Sequence, residues 1–316
     1  MKNDYLDFEE PIAALEKKIL DLQSSEEKRD SKFSDEISKL NKGIIKLTEK
    51  IYSNLSAWQC VQIARHPQRP HFLDLVEKIC DEFDELHGDR HFRDDQALIG
   101  GVATIGDHSV VLIGHEKGRS TEEKIYRNFG MPQPEGYRKA GRLMKLAERF
   151  KLPVVTLVDT PGAYPGIDSE ERGISEAIAQ NLGVMSSLET PILVNLIGEG
   201  GSGGALAIGV GDHIAMMKYA TYSVASPEAC AAIVWRDSNK ASEAAEAMQL
   251  NADNILKLKL IDEVIEEPLG GSHRNPDQAA LFLKKSITIN LEKVKLQPLQ
   301  NLLEKRYQRL MSYGLK

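Results

Sequence analysis

Hydrophobic residues recur at helical spacing near the start of the chain. Between residues 11 and 60 they fall three or four positions apart, which is typical of one face of an α-helix. A polar stretch at residues 24–30 interrupts this pattern. The pattern predicts two helices that form a hairpin or a docking arm, or alternatively a solvated helix pair that caps the main domain. The apolar positions are Leu15, Ile19 and Leu22, then Ile37, Leu40, Ile44 and Leu47.

After the segment His66-Pro67-Gln68-Arg69-Pro70, in which two prolines oppose helix continuation, helices and strands are predicted to alternate. Apolar runs either side of Gly106-Asp107-His108 indicate a pair of strands joined by a turn. Two further runs of β-branched and apolar residues are typical of strands buried on both faces. The predicted elements are a helix at 73–86, strands at 98–105 and 109–114, a helix at 134–150, a strand at 154–158, a loop at 160–166, a helix at 169–187, a strand at 192–197, and helices from 275 onward, the last at 299–311.

This order of elements predicts an α/β protein with parallel strands joined by crossover helices. We expect an N-terminal helical arm at residues 1–65, a core at 66–270 and a C-terminal helical segment at 271–316.

Charge and cysteine content narrow the functional classes. The chain has 40 Lys and Arg against 47 Asp and Glu, a net charge of −7, which argues against a general binder of nucleic acid or of membrane surfaces. Cys60, Cys80 and Cys230 are far apart, so neither a disulfide framework nor a zinc ribbon is predicted in this chain. No signal peptide is visible, and no apolar run approaches the roughly 20 residues needed to span a bilayer. We expect a cytoplasmic protein without a membrane span or a metal site of its own.

The segment at residues 198–211 is the most informative part of the sequence, because seven of its fourteen residues are glycine. It follows a predicted buried strand and opens a predicted helix. Glycine lets a ligand approach main-chain N–H groups closely, and a helix N-terminus supplies free donors. The segment therefore predicts binding of an anion or oxyanion by the backbone, with Gly203 and Gly204 as the donors. A tight strand-to-helix turn without a ligand is the structural alternative.

Two other motif templates fit the same glycines. The dinucleotide pattern G-x-G-x-x-G matches Gly198, Gly200 and Gly203, but no acidic residue follows about 20 positions on. The serine-hydrolase pattern G-x-S-x-G places a nucleophile at Ser202. Asp237 or Asp262 with His273 would have to complete a triad, and nothing near them in the sequence supports that role.

Several longer motifs closely resemble the α subunits of bacterial acetyl-coenzyme A carboxylase carboxyltransferase. The resemblance covers nearly the whole chain, with its motifs in the family's order. The matching segments are residues 8–12, 66–70, 114–119, 128–132, 134–139, 159–166 and 198–212.

The resemblance implies a fold and a set of partners. The fold would be crotonase-type, a twisted sheet spiral with outer helices. The partner would be a β subunit that carries a four-cysteine zinc ribbon, in an α2β2 heterotetramer with the active site between α and β. A biotin carboxyl carrier protein and a biotin carboxylase would complete an ATP-dependent holoenzyme.

The resemblance also implies an activity, namely carboxyl transfer from carboxybiotin on a separate carrier to acetyl-CoA. The product would be malonyl-CoA, in the first committed step of fatty acid biosynthesis. Gly203 and Gly204 would hold the ureido oxygen of biotin, and the β subunit would supply the thioester oxyanion hole.

Other site residues are predicted with open alternatives. Gly162, Ala163 and Tyr164 follow a buried strand and are expected to wall the pocket, unless they form only a rigid turn. Lys117 and Arg119 are expected to contact phosphates of CoA or a carboxylate, or else to pair with Glu122 or Glu123.

No covalent biotin is expected on this chain. Lys218 follows Met216 and Met217 but lacks a methionine after it, and it falls in a predicted buried strand.

Histidine at 115 or 213 is more often structural than catalytic, so we assign no side-chain base. The remaining functional alternatives are a non-catalytic assembly partner and a serine hydrolase that uses Ser202.

Overall fold

A computed structural model describes residues 4–24 and 31–314 of the chain. These residues form one mixed sheet of eight strands with helices around it. The α-helices are α1 (Glu10–Ser24), α2 (Ser31–Tyr52), α3 (Ala57–Ala64), α4 (Phe72–Ile79), α5 (Thr121–Tyr126), α6 (Pro134–Phe150), α7 (Ile167–Glu171), α8 (Ile174–Ser187), α9 (Ser202–Leu206), α10 (Pro227–Trp235), α11 (Ala241–Met248), α12 (Ala252–Lys257), α13 (Pro276–Lys295) and α14 (Leu299–Ser312). The strands are β1 (Glu82–Glu85), β2 (Leu98–Ile105), β3 (His108–His115), β4 (Val154–Thr160), β5 (Ile192–Gly201), β6 (His213–Met217), β7 (Thr221–Ser223) and β8 (Glu263–Ile265).

The sheet has the order β1-β2-β3-β4-β5-β6-β8, and β7 pairs with the end of β5. Strands β1 to β3 are antiparallel, as expected of a hairpin turning at Gly106, and the remaining pairs are parallel. All residues of β4 and β5 are buried, because helices cover both faces of the parallel part. The predicted α/β organisation with buried parallel strands is therefore confirmed.

The two predicted N-terminal helices are present as α1 and α2, which pack against each other. Ile12 and Tyr52 join Ile63 and Tyr219 in a small apolar cluster, so the helix pair is attached to the rest of the protein. The polar interruption predicted at 24–30 lies, from residue 25 on, outside the described residues. The expected division of the chain at residues 65 and 270 stays a prediction.

The helix predicted at 73–86 is wrong in its second half. Helix α4 ends at Ile79, and Glu82–Glu85 forms edge strand β1 beside β2. The spacing of three between Phe83 and Leu86 is that of a helix, but alternate residues of β1 are exposed and half-buried, as in a strand. Phe83 contacts Phe72 edge-on, with ring centroids 6.1 Å apart.

The helix predicted at 169–187 is divided. Helix α7 ends at Glu171, and α8 begins at Ile174 after Gly173 adopts a φ of +80°. The left-handed conformation of glycine redirects the chain at this point. Helix α8 then packs on α6 and reaches the glycine-rich segment.

Buried arginine fastens the C-terminal helices. Arg306 on α14 is 0% exposed and pairs with Asp212 at 2.6 Å. Its other N–H groups donate to the carbonyls of Met185, Leu188 and Thr190 at 2.8–2.9 Å. No helix among the described residues has the length and apolar character required to cross a membrane.

Candidate active site

The glycine-rich segment begins as strand rather than as loop. Strand β5 continues to Gly201, whereas the sequence predicted its end at residue 197. Its last three residues, Glu199, Gly200 and Gly201, pair with β7. A Cβ atom on Gly201 would lie 2.2 Å from the Pro161 carbonyl oxygen, so glycine permits contact with the loop after β4. The ends of β4 and β5 are therefore pressed together at one edge of the sheet.

Helix α9 brings Gly204 onto the second predicted loop. A Cβ atom on Gly204 would lie 2.5 Å from the carbonyl carbon of Gly162 and 2.7 Å from the nitrogen of Ala163. Gly203 has more room, since its nearest neighbour would be Ile178 Cδ1 at 3.5 Å. No side chain caps α9, and N–H groups of a first helical turn have no acceptor within the helix. The structure thus packs Gly204 on Gly162 and Ala163, with Gly203 next to it in the same short helix.

Hydrogen bonds hold the loop after β4 in place. The Thr160 hydroxyl donates to the carbonyls of Gly130 at 2.6 Å and of Gly162 at 2.8 Å. Gly162 has a φ of +151°, and the N–H of half-buried Tyr164 donates to the Pro132 carbonyl at 3.0 Å. Residues 162–164 are thus held in a fixed conformation beside α9, and their role as a wall of the pocket stays a prediction.

Lys117 lies next to the ends of β4 and β5. Its Nζ is 2.5 Å from Asp159 Oδ1 and 3.9 Å from Glu199 Oε2. Asp159 Oδ1 also accepts the N–H of Glu199 at 2.8 Å. The predicted alternative pairing with Glu122 or Glu123 is wrong for Lys117, because the ammonium group is drawn into this buried carboxylate pair.

Arg119 lies in a different set of contacts. Its guanidinium pairs with Asp74 and donates to the carbonyls of Pro67 at 3.0 Å and Arg69 at 3.3 Å. Only its main-chain N–H reaches Glu123, at 2.8 Å. The predicted alternative of a side-chain ion pair with Glu122 or Glu123 is therefore also wrong for Arg119. This side chain holds the 66–70 segment in place.

The same segment is anchored from within by Arg69. Its guanidinium forms a fully buried pair with Glu267 at 2.8 Å and donates to the Ile197 carbonyl at 2.8 Å. Burial acts to raise the pKa of Glu267, but the charge and hydrogen bonds of Arg69 outweigh it and the pKa falls. Arg69 thereby links residues 66–70 to the strand that carries the glycines.

Several residues of the site were not among the predicted ones. Arg65 donates to Glu199 at 2.6 Å and to Glu228 at 2.7 Å, beside the Lys117 network. A cleft of about 370 Å³ opens here, and Pro161 and Phe129 are also part of its lining. Asp159 and Glu199 each lie near the carboxyl end of a parallel strand, where ligands of such sheets commonly bind. Their position at these strand ends was the feature of the sequence that could have identified them as site residues.

His115 lies buried beneath this network. The Asp159 N–H approaches its Nδ1 at 3.4 Å. Burial lowers its pKa to about 3 despite the nearby charge of Asp159. His115 is therefore neutral at pH 7 and a poor general base. His213 bonds Glu263 at 3.1 Å, as expected of a structural histidine.

The residues of the serine-hydrolase alternative are not brought into a triad. Ser202 is exposed and makes no hydrogen bond through its side chain to a described residue. His273 is stacked on His66 with ring centroids 3.9 Å apart. Asp262 pairs with Arg309 at 2.5 Å, and Asp237 caps the N–H of Asn239.

The placement predicted for Lys218 is wrong. Strand β6 ends at Met217, so Lys218 lies just beyond it rather than within it. Its Nζ pairs with Glu266 at 2.8 Å, and its side chain is 35% exposed. Burial in a strand is therefore no argument against modification of this lysine, and only its incomplete motif remains.

An apolar pocket of about 410 Å³ borders α9 on its other side. Ser202, the first residue of α9, is part of its lining. The main-chain N–H groups at the start of α9 therefore lie next to an apolar surface. Its apolar lining includes Leu182, Leu206, Val210, Ile214, Tyr222, Val224, Ile255, Leu260, Leu310 and Tyr313.

The family model described as acetyl co-enzyme A carboxylase carboxyltransferase-like matches residues 5–314. The chain belongs to this carboxyltransferase family. Relatives from Chromohalobacter salexigens and Saccharophagus degradans, both named acetyl-coenzyme A carboxylase carboxyl transferase subunit alpha, are 58% and 59% identical over 314 residues. Each alignment covers 99% of this chain and 99% of the relative. The resemblance predicted from the sequence is confirmed.

Structural comparison shows the fold. A crystal structure of transcarboxylase 12S, with methylmalonyl-coenzyme A and methylmalonic acid bound, matches with a TM-score of 0.54 and 20% identity. The match covers 71% of this chain and 44% of that longer chain. The crotonase-type fold predicted from the resemblance is thereby confirmed.

The motifs that carry the family resemblance converge in this member of the carboxyltransferase family. The loop at 128–132 bonds the loop at 159–166 through Gly130 and Pro132. A Cβ atom on Gly130 would also lie 2.7 Å from Lys117 Cγ. The motifs at 114–119, 128–132 and 159–166 therefore contact one another, and the glycine-rich motif packs on the last of them.

Proposed function

We propose that this chain is the α subunit of the carboxyltransferase component of acetyl-CoA carboxylase. It transfers a carboxyl group from carboxybiotin to acetyl-CoA and forms malonyl-CoA, in the first committed step of fatty acid biosynthesis. Family membership and full-length relatives named for this subunit support the proposal. The observation that carries it is the packing of Gly204 on Gly162 and Ala163, which holds uncapped main-chain donors beside an open surface.

The chemistry requires two stabilised oxyanions. Breaking the N–CO2 bond of carboxybiotin leaves its electron pair on the ureido group, and negative charge develops on the ureido oxygen. Acetyl-CoA loses an α proton, which the ureido nitrogen takes up, and the resulting enolate carbon forms the new bond to CO2. The N–H groups of Gly203 and Gly204 stabilise the ureido oxygen, since main-chain donors are fixed and cannot take up the proton. The thioester oxygen is stabilised by the partner subunit.

The surroundings of these N–H groups suit biotin. The apolar pocket that begins at Ser202 accommodates the hydrocarbon part of biotin, while Gly162, Ala163 and Tyr164 wall the other side. Lys117 and Arg119 are paired with Asp159 and Asp74, so a contact with CoA phosphates or a carboxylate would be made in addition to these ion pairs. Because Lys117 is paired with Asp159, its main effect is to keep the glycine-rich strand in position.

The proposed function includes partners. The subunit-alpha names of the relatives support a partner subunit. We assign that role to a zinc-ribbon β subunit in an α2β2 assembly in the cytoplasm. A biotin carboxyl carrier protein and an ATP-dependent biotin carboxylase supply the carboxybiotin. The chain itself carries no covalent biotin in this scheme, and the zinc belongs to the β subunit.

Reconstitution with the candidate β subunit tests the proposal. The assay follows transfer of a 14C-labelled carboxyl group from the carboxylated carrier protein to acetyl-CoA. Gly203→Val places a branched side chain at the donors, and it is expected to abolish turnover while the heterotetramer still forms by size-exclusion chromatography. Full turnover by this variant would favour the assembly-partner alternative, in which the glycines only shape an interface.

A further inference from the structure

A second cleft, of about 450 Å³, lies between α6, α8 and the loop that precedes β2. It shares no lining residue with the cleft at Lys117 or with the apolar pocket at Ser202. Its lining is strongly cationic, with five basic side chains against two carboxylates. The basic residues are Arg90, Arg138, Arg142, Lys145 and Arg172, and the carboxylates are Asp89 and Glu176.

Three of the cations form a stripe along α6. Arg138, Arg142 and Lys145 are four and three residues apart, so they lie on one face of the helix. Like charges at this spacing oppose helix formation. Gly141 lies within the stripe, and a Cβ atom there would be 2.7 Å from Asn181 Oδ1. Glycine thus lets α8 approach the basic face and form the opposite wall.

Most of these charges have partners, but two do not. Arg138 pairs with Asp89 at 2.9 Å, Arg172 with Glu135 at 2.6 Å and Lys145 with Glu148 at 3.0 Å. Arg90 and Arg142 make no ion pair with any carboxylate of the described residues.

Backbone carbonyls hold these two guanidinium groups instead. Arg142 Nε donates to Gly88 at 3.1 Å, and its Nη2 donates to Leu86 and His87, each at 3.2 Å. Arg90 Nη1 donates to the His87 carbonyl at 2.8 Å. Arg142 Nη1 makes no hydrogen bond to a described residue. Burial, and then the neighbouring charge of Arg90, lower the pKa of Arg142, and they outweigh the charges of Asp94 and Asp89, which act to raise it.

The two carboxylates that line the cleft are hydrogen-bonded to other groups. Asp89 accepts the N–H groups of His91, Phe92 and Arg93 at 2.9, 2.8 and 3.2 Å, in addition to its pair with Arg138. Glu176 accepts the side-chain amide of Gln180 at 2.7 Å. Neither carboxylate pairs with Arg90 or Arg142.

We propose that this cleft binds the phosphate groups of a small phosphorylated anion, with Arg90 and Arg142 as its principal ligands. Guanidinium groups donate charge-assisted N–H bonds to phosphate, for Arg142 through Nη1, and groups already fixed by carbonyls lose little freedom on binding. The volume is in the range of small-molecule sites. The site is independent of the proposed carboxyl transfer, because α8 separates it from the glycines. Ile178 of α8 faces Gly203, and Ala177 and Gln180 line the cleft.

Titration calorimetry with sodium pyrophosphate tests the proposal on the full chain, alone and in its complex with the β subunit. The wild-type protein is expected to bind pyrophosphate saturably in both forms, with an affinity that falls as NaCl is raised. Arg90→Gln combined with Arg142→Gln is expected to weaken binding at least tenfold. Arg149→Gln is the matched control, because Arg149 lies exposed in the last turn of the same helix. Its binding should stay within twofold of the wild type.

Circular dichroism and thermal melts verify that the variants fold. If the double variant does not fold, the calorimetry is repeated with each single variant. Absence of saturable binding by the wild type overturns the proposal, as does unchanged binding by the folded variants. Binding that disappears when the β subunit is present also overturns it and would instead make this cleft a subunit interface.

Discussion

Adding one methyl group at Gly204 is the sharpest perturbation of the proposed oxyanion hole. The alanine Cβ would lie 2.5 Å from the carbonyl carbon of Gly162, 2.7 Å from the Ala163 nitrogen and 2.9 Å from the Gly162 Cα. All three are main-chain atoms, so no side chain can rotate away. Carbon atoms in favourable contact are about 3.5–4.0 Å apart, so α9 and the 162–164 loop must separate by about 1 Å.

That displacement sets the expected size of the effect. Misplacing reacting groups by about 1 Å costs about 100-fold in rate, and loss of one oxyanion donor costs about 100- to 1,000-fold. We therefore expect Gly204→Ala to lower kcat about 100-fold, equivalent to about 2.7 kcal/mol. Gly203→Ala should lower it less than fivefold, because its Cβ would meet only Ile178 Cδ1 at 3.5 Å.

The two alanine variants form a matched pair in one assay. Both are reconstituted with the β subunit and compared for kcat in malonyl-CoA-dependent carboxylation of a soluble biotin derivative. Size-exclusion chromatography and thermal melts verify assembly and folding. Wild-type kcat for assembled Gly204→Ala would refute the reasoning, and so would equal losses from the two variants.

Three further predictions concern the ion network, a buried histidine and the serine. Lys117→Met leaves the buried Asp159 carboxylate unpaired, so the free energy of unfolding measured in urea should fall by about 3 kcal/mol. Lys117→Arg should restore part of this loss, and an unchanged midpoint for Lys117→Met would contradict the prediction. Burial, and then the charge of His66, lower the pKa of His273 from 6.5 to about 2, so only the unfolded state takes up its proton as pH falls below about 6.5. The contribution of neutral His273 to the free energy of unfolding is thus complete above that pH and falls by about 1.4 kcal/mol per pH unit below it. Between pH 6.5 and 5, His273→Gln should therefore reduce the slope of the free energy of unfolding against pH, measured in urea, by up to this amount. Ser202→Ala should keep kcat within about threefold in the transfer assay, whereas a thousandfold loss would restore the hydrolase alternative.

The glycine-rich segment shows what local sequence can and cannot predict. A buried strand followed by glycines predicted main-chain donors near Gly203 and Gly204. It did not predict that β5 continues to Gly201, because that depends on pairing with β7, about 20 residues further along. The contact between Gly204 and Gly162 is likewise a property of the folded sheet.

Charged residues of the site were harder to predict, because their partners are distant in sequence. Glu122 and Glu123 are near neighbours of Lys117 and Arg119, but the fold pairs these cations with Asp159 and Asp74 instead. Parallel strand order brings Asp159 and Glu199 to the same sheet edge. That these two carboxylates lie close together can be inferred from the strand ends. Which cation pairs with them, here Lys117, is seen only in the three-dimensional structure.

Element boundaries were wrong where the local pattern does not reveal a distant contact or a special backbone conformation. The spacing of Phe83 and Leu86 suits a continued helix, but pairing with β2 makes Glu82–Glu85 a strand. Gly173 sits within a helical pattern that its left-handed conformation divides. By contrast, α6 matches its prediction at both ends, because Pro134 favours the first helical turn and the apolar face is continuous.

The central claim is that carboxyl transfer requires an active site shared between this chain and its β subunit. Malonyl-CoA-dependent carboxylation of a soluble biotin derivative tests it most directly, with each subunit assayed alone and then with both together. The account predicts activity only from the assembled pair, with this chain supplying the biotin site. Activity from either chain alone, or none from a verified heterotetramer, would contradict it.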